Sequence, residues 1–111
     1  MNGPDEGGVP AGEPDAGPAG GIVLTQAVTV PNSRGLHARA AAKLVTLAEQ
    51  FGASVDVEKD GQSVSARSIM GLMMLGAGQG AVLTLRAEGW DAKEALDALA
   101  ALIEAGFHEQ D

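Results

Sequence analysis

The chain has 111 residues with 7 Lys+Arg against 15 Asp+Glu, a net charge of -8, and no cysteine. That length holds one domain and excludes a multidomain enzyme, while the charge and the lack of a basic patch exclude a nucleic-acid partner. Without cysteine there is no disulfide framework or thiolate zinc site, and with no basic-then-apolar leader or run of about 18 apolar residues the expectation is a cytoplasmic protein without a membrane span.

Residues 1–21 hold 7 of the 16 glycines, 4 of the 5 prolines, 4 acidic residues and no Lys or Arg. Such a composition buries too little apolar surface to offset ordering entropy, so a disordered tail is expected here, followed by one domain over residues 22–111. The domain opens with a β-rich run from Ile22 to Val30, ended by Pro31. After a glycine turn at Gly35, Leu44, Leu47, Ala48 and Phe51 fall at i, i+3, i+4 and i+7. This spacing predicts a helix from about Ala38 to Gln50, stopped by Gly52.

Ala53, Val55 and Val57 alternate with Ser54, Asp56 and Glu58 as a half-buried strand does, and Lys59-Asp60-Gly61 is a hairpin turn that makes Gln62 to Ala66 its antiparallel partner. A short helix follows from about Ser68 to Leu75, with Ser68 as N-cap and Gly76 as terminator. Residues 76–80 read as a flexible link. Ala81 to Ala87 is the fourth strand, with Leu83 and Leu85 on one face. The third helix begins with a capping-box-like pair, Asp91 and Glu94, turns Leu96, Leu99 and Ile103 inward and ends at Gly106. Trp90 reads as a packing residue, and His108, Glu109 and Asp111 as a terminal segment without chemistry or metal. The order β-α-β-β-α-β-α in 90 residues implies an α+β layer pair, helices on one sheet face and solvent on the other.

The chemistry concentrates in Ser33-Arg34-Gly35-Leu36-His37-Ala38-Arg39-Ala40, where a histidine stands at the start of an amphipathic helix. Unpaired N–H groups and a partial positive charge there favour an anion and disfavour a protonated imidazole. His37 is then a neutral nucleophile for a phosphoryl group, with the Arg39 guanidinium as partner to the new charge. A histidine in this position also serves simply as a cap or a surface residue, and position alone leaves both readings open.

The segment Gly35-Leu36-His37-Ala38-Arg39-Ala40 resembles the active-site motif G-[IL]-H-[AT]-R-P of HPr, the histidine phosphocarrier of the bacterial phosphoenolpyruvate-dependent phosphotransferase system. Downstream, residues 65–76 resemble the HPr segment that begins the second helix. Where many members have proline after the arginine, this chain has Ala40, a strong helix former that keeps the helix start. Arg34, Ala40, Leu72-Met73-Met74-Leu75 and Ala105-Gly106-Phe107 look closer to the nitrogen-related branch, NPr.

The resemblance implies an HPr-like open-faced β-sandwich, a four-stranded antiparallel sheet with three helices on one face. It further implies a relay in which His37 takes a phosphoryl group from enzyme I and passes it to an enzyme IIA, in a sugar or nitrogen-related system. Arg39 would stabilise the phosphate and Ser68 would be a regulatory site for an HPr kinase/phosphorylase, where the organism has one. No metal or cofactor is needed, and a monomer is the simplest expectation. Leu36, Ile69, Met70, Met73 and Met74 are expected to form a docking surface, since a two-turn helix cannot bury so many large apolar residues on one side. The alternative function is a regulatory HPr-like module that controls partners through its phosphorylation state. An enzyme with its own turnover is disfavoured because no second catalytic group is legible near His37.

Overall fold

The computed structural model describes residues 22–109; the expected tail over residues 1–21 and Asp111 lie outside the described residues. The element order is β1 (Val23–Thr29), α1 (Ala38–Ala48), β2 (Ser54–Lys59), β3 (Gln62–Ser65), α2 (Ile69–Met74), β4 (Val82–Glu88) and α3 (Ala92–Glu104), followed by a 3-10 turn, Gly106–His108. The four strands form one antiparallel sheet in the order β1-β4-β2-β3. The order β-α-β-β-α-β-α and the sheet are those anticipated.

Period-two burial decides which sheet face carries the helices. Val55 and Val57 of β2 and Leu83, Leu85 and Ala87 of β4 are buried, while Asp56, Glu58, Thr84 and Arg86 between them are only partly so. On that opposite face Arg86 reaches across the sheet to Glu58 at 3.2 Å. The inward face meets Leu44 and Val45 of α1, Leu72 of α2 and Leu96, Leu99 and Ile103 of α3 in a single core. Asp60 and Gly61 both take left-handed φ values, 51° and 83°, as a two-residue hairpin turn requires.

Several local expectations are corrected. The buried stripe of α1 is Ala40, Ala41, Leu44, Val45 and Ala48, so Leu47 and Phe51 only flank the core, and Gly52 does not stop the helix in a left-handed conformation. No capping box forms at α3, because the Asp91 carboxylate is turned away from its own helix. It accepts from the backbone N–H groups of Gly52 at 2.9 Å and Ala53 at 2.7 Å, stitching the start of α3 to the start of β2. Trp90 is not a core residue: it is 88% exposed, its indole lying over Gly52.

The glycine-rich segment after α2 is not a free link. Leu36 N–H donates to the Ala77 carbonyl at 2.8 Å, Gly80 N–H to Val30 at 2.8 Å and Val30 N–H to Ala81 at 2.9 Å, while the Gln79 side-chain amide donates to the Pro31 carbonyl at 3.1 Å. The closest approach is at Gly35, where φ is +64° and an added Cβ would stand 2.3 Å from the Ala77 carbonyl oxygen. Only glycine fits a left-handed turn pressed against another backbone segment.

Candidate functional site

His37 is the N-cap of α1, as the motif suggested. Its backbone is extended (φ -79°, ψ -179°), and its Nδ1 accepts from the backbone N–H of Arg39 at 3.3 Å. A nitrogen that accepts from an amide has its lone pair in the ring plane and no proton of its own. That lone pair points to the helix mouth, where amide dipoles favour an incoming anion.

The other ring nitrogen, Nε2, meets the carboxylate of Glu109. The second oxygen of that carboxylate accepts from Asn32 Nδ2 at 3.0 Å. Asn32 is buried in the turn before Gly35 and also donates to the Gly35 carbonyl at 2.9 Å. The hydrogen bond from His37, together with that from Asn32 and the positive charge of Arg34, holds the Glu109 carboxyl below its ordinary range, against the opposing effect of burial. An ionised carboxylate can only accept, so the proton between it and the ring belongs to Nε2. The tautomer this arrangement selects leaves Nδ1 bare.

Glu109 arrives there through the C-terminal turn. Gly106, Phe107 and His108 all have left-handed φ values, a run that single residues seldom adopt, and the fully buried Phe107 side chain offsets its cost. The Phe107 carbonyl accepts from Lys43 Nζ at 2.6 Å, tying the turn to α1. The reading of this segment as a terminal stretch without partners is corrected for Glu109, whose carboxylate meets both His37 and Asn32. Sequence spacing gave no signal for it, since 72 residues separate it from His37.

Arg34, Arg39, Lys43, His108 and Glu109, the carboxylate that meets the ring, line a polar cleft of about 260 Å³. At about 30 Å³ for a water, the cleft has room for a phosphoryl group, and its three permanent cations suit one. Among the described residues no group of three or more His, Cys, Asp or Glu side chains could hold a metal.

The sequence model described as the PTS HPr component phosphorylation site matches residues 24–105. The chain belongs to the HPr family. It is thus a phosphoryl carrier of the phosphotransferase system and not an enzyme with its own turnover. The phosphocarrier protein HPr of Cupriavidus necator is 49% identical over 87 residues, covering 78% of this chain and 98% of that protein. The phosphocarrier protein NPr of Shewanella violacea is 46% identical over 86 residues, covering 78% and 94%. The likeness thus extends to both branches at nearly equal identity. The crystal structure of an HPr from Thermoanaerobacter tengcongensis superposes with a TM-score of 0.76 at 46% identity, covering 79% of this chain and 99% of that one.

On this HPr fold Ser68 caps α2, its hydroxyl accepting from the Gly71 N–H at 2.9 Å. Of the expected docking residues, Ile69, Met70, Met73 and Met74 are exposed, with Met70 at 71% and Met74 at 68%. Leu36 is the exception. It is 5% exposed and part of the core, because the bond from its N–H to Ala77 turns the following segment inward, and it leaves the surface set. No helix of the described residues is long and apolar enough to cross a membrane.

Proposed function

We propose that His37 is the phosphorylated residue and that Nδ1 is the atom that carries the phosphoryl group, received from phosphorylated enzyme I and delivered to an enzyme IIA. The observation that carries this reading is the pairing of the two ring nitrogens. Nε2 is engaged by a carboxylate, and Nδ1 has a lone pair directed at helix amides. A phosphoryl group on Nδ1 meets the first-turn N–H groups of α1, with Arg39, Arg34 and Lys43 as cations in the cleft that also holds Glu109. Arg39 is assigned the stabilisation of that phosphate, by its place in the motif and in the cleft.

The exposed side chains of Ile69, Met70, Met73 and Met74 are assigned to docking, since one flexible methionine-rich patch fits both a donor and an acceptor protein. Ser68 is the proposed site of regulatory phosphorylation. A phosphate there replaces a neutral cap with charge beside this apolar patch and weakens docking. The protein acts in the cytoplasm as a monomer. The test is incubation with purified enzyme I and phosphoenolpyruvate: an acid-labile, base-stable phosphate forms on the native chain and on His108→Ala, and none on His37→Ala. Phosphate retained by His37→Ala would overturn the assignment.

A further inference from the structure

We propose that Glu109, held in place by Asn32, is a positioning residue for phosphoryl transfer, keeping a proton on His37 Nε2 before and after phosphorylation. The proposal rests on the phosphocarrier reading of His37 and deepens it. Three observations place the group: the carboxylate meets Nε2, the buried Asn32 amide donates to its other oxygen at 3.0 Å, and the same amide is anchored to the Gly35 carbonyl at 2.9 Å. The amide orientation is fixed because both of its contacts are acceptors, to which only its NH₂ can donate. Carboxylate, imidazole and reacting atom then lie in series, the same logic by which a buried carboxylate orients a histidine in hydrolase triads.

The balance of the step follows. The Nδ1 lone pair of His37 attacks the phosphorus of a phosphorylated imidazole on the donor. The donor's P–N bond breaks, and its electron pair returns to the donor ring. No proton moves on His37, so the phosphorylated ring, still protonated at Nε2, acquires a positive charge facing the Glu109 carboxylate. In onward transfer the Nδ1–P electrons return to the ring, which leaves as neutral imidazole with its Nε2 proton. If that proton were lost from the phosphorylated form, the leaving group would be an imidazolate, far poorer, and the phosphoryl group would be trapped. The cations that share a cleft with Glu109 are Arg34 in the preceding turn and Arg39 and Lys43 on α1, with the titratable His108 beside it in the C-terminal turn. Arg34, Arg39 and Lys43 all oppose the ring charge, and Glu109 is the carboxylate that favours it.

The experiment compares the native protein with Glu109→Gln and Glu109→Ala, full-length and ¹⁵N-labelled on histidine. In the unphosphorylated native protein the imidazole shifts should report Nε2 protonated and Nδ1 bare above the ring's titration, and in Glu109→Ala the two tautomers should mix. After phosphorylation, the pH midpoint at which the phosphorylated ring loses its proton, followed by ³¹P NMR, should fall by about one unit or more in Glu109→Gln, because an opposite charge has been removed. Onward transfer at neutral pH should slow about tenfold while phosphorylation by enzyme I changes less. Unaltered tautomer populations and an unaltered midpoint in both variants, with His37 phosphorylated as before, would overturn the role of Glu109 and leave the carrier reading standing. A native protein that never takes phosphate on His37 would overturn the carrier reading, and the phosphorylated-state role with it.

Discussion

Replacing Gly35 by alanine isolates the contact that sets the geometry of the His37 turn. The left-handed backbone at φ +64° costs an L-residue about 1–2 kcal/mol. The new Cβ would also stand 2.3 Å from the Ala77 oxygen and 2.7 Å from the Gly78 Cα. Both are backbone atoms, so relief requires the glycine-rich loop to retreat, breaking the 2.8 Å bond from Leu36 N–H to Ala77 at a further loss of about 1 kcal/mol. The sum, about 2–3 kcal/mol, corresponds to a drop in Tm of roughly 8–24 °C for a domain of this size. Gly61→Ala is the control, since its φ of +83° is equally left-handed but nothing lies within 4 Å of the added Cβ. That variant should lose only the conformational part, about 1–2 kcal/mol. Thermal and urea unfolding followed by circular dichroism give both values. Equal losses in the two variants would refute the reasoning, because the clash with residues 77 and 78 would then carry no energy.

Phe107→Ala should cost about 3–5 kcal/mol in urea unfolding, and by releasing the turn that brings Glu109 to the ring it should also slow phosphoryl transfer; full stability would show that the turn is not anchored there. Met70→Glu, at an exposed position, should leave stability within about 0.5 kcal/mol and reduce the rate of phosphorylation by enzyme I about tenfold, with an unchanged rate removing the docking assignment. The lowered Glu109 carboxyl predicts the sign of a pH effect. A carboxyl held below its unfolded value contributes stability above that value and loses it as pH falls through the folded one. The stability difference between native protein and Glu109→Gln should therefore shrink as pH falls below 4.5, whereas a difference independent of pH down to 2 would contradict the hydrogen-bonded carboxylate.

What was legible in the sequence is what local periodicity and local caps encode. Val55 and Val57, the Asp60-Gly61 turn, Ser68 before α2 and His37 before α1 each declare their role within a few residues. The failures all involve partners distant in the chain. Asp91 looks like a cap for its own helix, yet its carboxylate finds better-placed donors at Gly52 and Ala53, 39 and 38 residues away. Leu36 reads as part of an exposed motif, but its backbone is drawn to Ala77 and its side chain into the core. Trp90 is the largest apolar side chain in the sequence and still lies on the surface, its indole laid over Gly52, 38 residues away. Of the site, His37 and Arg39 were visible because helix position and motif coincide. Glu109 was not, because it depends on a left-handed turn fixed by the burial of Phe107 and the reach of Lys43.

The most direct test locates the phosphorus on the ring itself. In ¹⁵N-histidine-labelled protein phosphorylated by enzyme I and phosphoenolpyruvate, one-bond ³¹P–¹⁵N coupling should appear at Nδ1 of His37, with Nε2 still bearing its hydrogen. Coupling at Nε2 of His37 or on His108 would contradict the account, since the nitrogen engaged by Glu109 or the wrong histidine would then be the nucleophile.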